Sequence, residues 1–89
     1  MKLPLKARIF QYAVQQQNEF TMKQVMQDLA KKYASESIFS EKQVEEYFDS
    51  FLGVGFFKAT RTEFDADGKL VIYCVVTDYG HKRSKYVAA

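Results

Sequence analysis

The chain has 89 residues, 47% of them hydrophobic and 16% aromatic, with a formal net charge of +2. That length suits one domain with one core, and so small a charge is far from the strong basic bias of many nucleic-acid-binding domains. Cys74 is the only cysteine, which excludes an intrachain disulfide. Six Tyr and eight Phe are generous for this size, and a small domain buries a smaller fraction of its surface, so some rings are expected to face a partner.

The first ten residues, MKLPLKARIF, break their apolar positions with Lys2, Pro4, Lys6 and Arg8 and lack the continuous apolar stretch of a signal peptide. The longest apolar run, Leu70 to Val76, is far short of the roughly 20 residues a membrane helix needs. A cytoplasmic protein without membrane contact is expected. Pro4 suits the first turn of a helix that runs through Leu5, Ile9, Tyr12, Ala13 and Gln16 to about Gln17. Phe10 and Val14 form a second apolar edge on it. Two edges call for two neighbours, so a homodimer is expected; one broad stripe wrapped inside a monomer is the other reading.

The phrases FTMKQV (Phe20 to Val25) and FSEKQV (Phe39 to Val44) are nearly the same. Each sets a hydroxyl residue three positions before Gln, Thr21 with Gln24 and Ser40 with Gln43, the spacing at which side chains satisfy the free N–H groups of a helix start. Phe before each cap and Val four residues after it add a hydrophobic staple. Two helix starts follow, not a duplicated domain, because the sequences after the phrases differ. The second helix spans about Met22 to Tyr33. The segment ASES is a turn, and the third helix spans about Glu41 to Leu52, its stripe being Val44, Tyr47, Phe48, Phe51 and Leu52, with Gly53 as a left-handed stop.

From Phe56 the period changes. FFKATRTEF and KLVIYCVVT are rich in β-branched and aromatic residues and flank DADG, which predicts one antiparallel hairpin with a tight turn at Asp67-Gly68. Alternation places Leu70, Ile72, Cys74 and Val76 on one face, taken as core-facing, with Cys74 an inert buried thiol. The last segment, TDYGHKRSKYVAA, is basic and compatible with a short helix, an extended arm or a disordered tail.

Several motifs fail on inspection. EFDADGKLVIYC echoes a calcium loop but has Cys74 where a bidentate Glu is required and is bounded by strand patterns. GVGFFK has two glycines of a dinucleotide fingerprint but follows a helix and precedes a strand, the reverse of the needed order. His81 is the only histidine, and no Ser or Cys nucleophile is indicated beside it, so no catalytic residue is assigned. One Cys and one His cannot form a zinc tetrad, and no metal or cofactor is expected.

Three helices followed by a hairpin, with FLGVGFF (Phe51 to Phe57) leading into the first strand and VVTDYGHK (Val75 to Lys82) after the second, resemble the winged helix-turn-helix family. The resemblance covers nearly the whole chain and implies an α+β fold. It would be a single winged-helix domain over 1–89: a three-helix part over 1–53, a two-stranded wing over 56–77 and a short basic C-terminal segment over 78–89. It also implies a small prokaryotic-type DNA-binding transcriptional regulator. In that family the first helix and the segment after the wing commonly build the dimer, which here points to Phe10, Val14, Tyr79, Tyr86 and Val87.

The family's third helix usually enters the major groove. Here its outward positions are Glu41, Lys42, Glu45, Glu46, Asp49 and Ser50, which opposes phosphate. Charge is segregated, with +4 over residues 1–35, −5 over 36–68 and +3 over 69–89. Contact with nucleic acid is therefore expected through Lys23, Lys42, Lys58, Arg61 and Lys69, with free N–H groups near Thr21 and Ser40 as further phosphate docks. The alternative is a winged-helix module that turns its acidic third-helix face to a protein partner and binds no DNA.

Overall fold

The computed structural model describes residues 4–33 and 40–87, the side chains of Lys32, Tyr86 and Val87 lying outside that description. The ASES turn and the Phe39 staple also fall outside it. In chain order the elements are α1 (Leu5–Val14), α2 (Met22–Tyr33), α3 (Glu41–Gly53), β1 (Phe57–Phe64), β2 (Leu70–Val76) and α4 (Asp78–Val87). The C-terminal segment is thus a helix as far as Val87, and it packs beside α1 and β2.

Both repeated phrases start helices. At α2 the Gln24 N–H donates to Thr21 Oγ1 at 3.2 Å and the Thr21 N–H donates to Gln24 Oε1 at 3.0 Å. At α3 the Gln43 N–H donates to Ser40 Oγ at 3.1 Å. Caps of this kind each stabilise a helix by about 1 kcal/mol. The staple pair Phe20 and Val25 is wholly buried.

Three boundaries differ from the sequence expectation. Pro4 is the N-cap of α1 and not within its first turn. That helix ends at Val14, where the Gln15 and Gln16 N–H groups donate to Tyr12 and Ala13 at 3.2 and 3.1 Å and the Gln16 side-chain amide donates to the Tyr12 carbonyl at 3.2 Å. The tightened last turn satisfies carbonyls that continuing the helix would have used. At the end of α3 the left-handed residue is Gly55, with φ +85°, and not Gly53, which is the last residue of the helix. The Phe56 N–H reaches the Phe51 carbonyl at 2.9 Å and the Gly55 N–H reaches Leu52 at 3.2 Å, the paired bonds of a Schellman ending.

β1 and β2 pair antiparallel from Phe57 opposite Val76 to Phe64 opposite Leu70, with a register shift between Ala59 and Arg61. Phe20 adds a two-bond bridge to Cys74, 2.9 Å each way, and ties the linker before α2 to the wing base. The turn contains Gly68 at φ +78°, as expected, but Asp65 organises it: its carboxylate accepts from the Asp67 and Lys69 N–H groups, both at 2.9 Å.

The core joins Leu5, Ile9 and Phe10 of α1 to Val25, Val44, Phe51, Phe57 and Cys74. Phe10, expected at a partner-facing edge, is fully buried and stacks on Phe51 and Phe56 with centroids 5.3 and 5.0 Å apart. The physical reason is α3's Schellman ending, which swings Phe56 back over α1 and closes the core around that ring. The β2 face is corrected in its outer half. Cys74 is fully buried, but Ile72 is 39% and Leu70 54% exposed, because the hairpin runs out past the helices that cover its base.

The passage after the wing has a clear cause. Thr77 Oγ1 accepts from the Gly80 N–H at 3.0 Å, capping α4, while donating to the Gly55 carbonyl at 2.6 Å. Gly80 itself lies where an added Cβ would sit 2.5 Å from the Phe56 carbonyl oxygen. Thr77 and Gly80 together let α4 close on the Schellman turn.

Candidate nucleic-acid interface

The first half of α2, the length of α3 from Glu41 to Leu52 and the wing from Asp65 to Cys74 enclose an open trough. Lys23, at the α2 start, and Lys69, on the wing, line it together with Glu41, Glu45 and Asp49 of α3 and Asp65 and Asp67 of the turn. Both lysines are exposed. The backbone N–H groups of Lys69 and then Asp67 hold the Asp65 carboxyl below the usual range, and the ammonium groups of Lys23 and Lys69 add to this. The fold thus brings two of the expected cations near one another, but among five carboxylates.

Lys42 is exposed one residue into α3, and Lys58 is exposed on β1 opposite Val75, on the hairpin face away from Cys74. Of the two helix caps expected to dock phosphate, Ser40 is exposed whereas Thr21 is 6% exposed, so the α3 start is the open one.

Arg61 is differently placed. Its Nε donates to Glu19 at 2.9 Å, its terminal nitrogen meets Glu63, and the guanidinium lies 3.7 Å over the Tyr73 ring centroid. The Thr60 hydroxyl at the register shift also donates to Glu19, and that bond, followed by Arg61, holds the Glu19 carboxyl below its usual range. Arg61 therefore anchors the wing to the linker before α2, with its charge already matched by two carboxylates. Sequence reasoning missed Glu19 altogether, since nothing local connects it to a residue 42 positions away.

Among the expected dimer residues, Val14 is partly buried against the core, and Tyr79 is 52% exposed with its ring 5.4 Å from Phe56. The side chains of Tyr86 and Val87 lie outside the described residues. Among those residues no helix is long and apolar enough to cross a membrane.

No protein-family model and no curated protein matches the chain. Among solved structures, the chain is similar to the crystal structure of a PadR-like transcriptional regulator from Bacillus cereus. The two are 17% identical, with a TM-score of 0.69, over 94% of this chain and 77% of the other. With its capped helix pair, its hairpin and this likeness, the chain has a winged helix-turn-helix fold in which β1 and β2 form the wing.

Proposed function

We propose that the chain is a small DNA-binding transcriptional regulator that grips the duplex by its phosphates through Lys23, Lys42, Lys58 and Lys69. The observation that carries this is the fold shared with a PadR-like transcriptional regulator, combined with exposed lysines at both helix starts and on the wing. Arg61 contributes less, because Glu19 and Glu63 already neutralise it. Glu41, Glu45, Glu46 and Asp49 keep α3 from lying deep in the groove, so affinity is weak in sequence preference and steep in salt. The protein acts in the cytoplasm as a homodimer in which Val14 and Tyr79, with Tyr86 and Val87, form the contact. Each gripping lysine changed to Ala flattens the salt dependence by about one unit.

The test is a gel-shift series on a random-sequence duplex at low salt. Lys42→Glu with Lys69→Glu abolishes the shift, and Glu45→Gln with Glu46→Gln strengthens it. A shift that survives the lysine reversal overturns the assignment.

A further inference from the structure

We infer that the trough between α2, α3 and the wing is a docking surface for a basic amphipathic helix of a partner protein. The trough has a volume of about 480 Å³. Met22, Met26, Leu52 and Ile72 supply an apolar floor, and Leu70, 54% exposed, extends it toward the wing tip. Phe64, 75% exposed, pairs with Leu70 at the outer end of the hairpin. Apolar side chains left open together in this way mark interaction sites, and a hairpin that met only phosphates would gain nothing from them.

Charge and length choose the occupant. Glu41, Glu45 and Asp49 form one wall, and Asp65 with Asp67 the opposite lip, against Lys23 and Lys69 as the cations among the described lining residues. Such a rim is net acidic and favours a cationic occupant, which would share Lys23 and Lys69 with the proposed duplex grip and so compete with it. The α3 positions 41, 45, 48 and 52 recur about once per turn, so that wall runs roughly 16 Å, or three turns of helix. A helical segment with a leucine-like face flanked by Lys or Arg fills the floor and meets both acidic sides at once. This docking does not depend on duplex binding, and it is measured without DNA, so failure of either reading leaves the other standing.

The experiment titrates the full chain into a labelled synthetic helix of about four turns, with a leucine face flanked by lysines, followed by fluorescence anisotropy. One-to-one saturable binding is expected. It weakens by about tenfold when glutamates replace the peptide's lysines, or when serines replace its leucines. Glu45→Lys with Asp49→Lys in the protein, and separately Ile72→Glu, each weaken it by about tenfold while circular dichroism shows the fold intact. Four outcomes overturn the proposal: no saturation, equal binding of the serine peptide, affinity unchanged in both variants, or sedimentation showing a dimer that Ile72→Glu dissociates. The last would assign the trough to a second copy of the chain.

Discussion

Replacing Gly80 with Ala tests how α4 is held. Helix propensity alone favours Ala over Gly by about 1 kcal/mol. The added Cβ, however, would lie 2.5 Å from the Phe56 carbonyl oxygen and 2.8 Å from Val76 Cγ1. The first of these is backbone, and it already accepts from the Thr77 N–H at 2.9 Å and from the Thr77 hydroxyl at 3.2 Å. Moving it away would loosen both bonds, so relief is expensive and the overpacking cost lies toward the upper part of the usual range of about 1–3 kcal/mol. The net expectation is a loss of about 1–2 kcal/mol, which lowers the melting temperature of a domain this size by roughly 4–15 °C. Gly53→Ala is the control, since nothing lies within 4 Å of its Cβ position and the residue ends α3. That variant gains up to about 1 kcal/mol. Thermal unfolding followed by circular dichroism reads both, and a Gly80→Ala protein as stable as the wild type would refute the tight α4 contact.

Phe10→Ala is expected to destabilise the chain by about 3–5 kcal/mol in denaturant melts, as for other buried phenylalanines; a loss under 1 kcal/mol would return that ring to the surface. Burial pushes the Cys74 thiol up to about 11, and burial followed by the bond to Asp28 pushes Tyr12 up to about 12. Both neutral groups favour the folded state below their ordinary values of 9.0 and 10.0, so stability falls as pH rises from 9.0 toward 12, and thiol labelling of the native protein is slow below that window. Glu19 and Asp65 are lowered instead, so their contribution is present above 4.5 and 3.8 and is lost as the pH drops through their folded values, which wing-resolved NMR would register as loosening at acid pH. Glu19→Gln should give the same loosening at neutral pH.

What was legible in the sequence was mostly local. A capping box is a bond between residues three apart, so Thr21 with Gln24 marks a helix start without any tertiary knowledge. The change to β-branched and aromatic residues after Phe56 likewise marks the wing, because strand propensity acts within each segment. Alternation correctly put Leu70, Ile72 and Cys74 on one face, but a period says nothing about what covers that face. The helices cover Cys74 and leave Leu70 open. The helical period leaves Phe10 at an outer edge for the same reason, as its neighbours Phe51 and Phe56 arrive from the far end of α3. Gly53 and Gly55 are both free to stop a helix, and only the fold, with φ +85° at Gly55 and the bonds from Phe56 to Phe51 and Gly55 to Leu52, distinguishes them. The sequence points to Arg61 as a phosphate-contacting wing cation, and only the fold brings Glu19 to it.

The claim that exposed lysines grip duplex DNA is tested most directly by the salt dependence of binding. A labelled random-sequence duplex is titrated with the wild-type chain at a series of ionic strengths. If Lys23, Lys42, Lys58 and Lys69 each neutralise a phosphate, the logarithm of the binding constant falls linearly against the logarithm of salt with a slope of about −3.6 per chain. Duplexes of unrelated sequence give nearly the same line. Absence of binding at the lowest salt, or binding that salt leaves unchanged, contradicts the account.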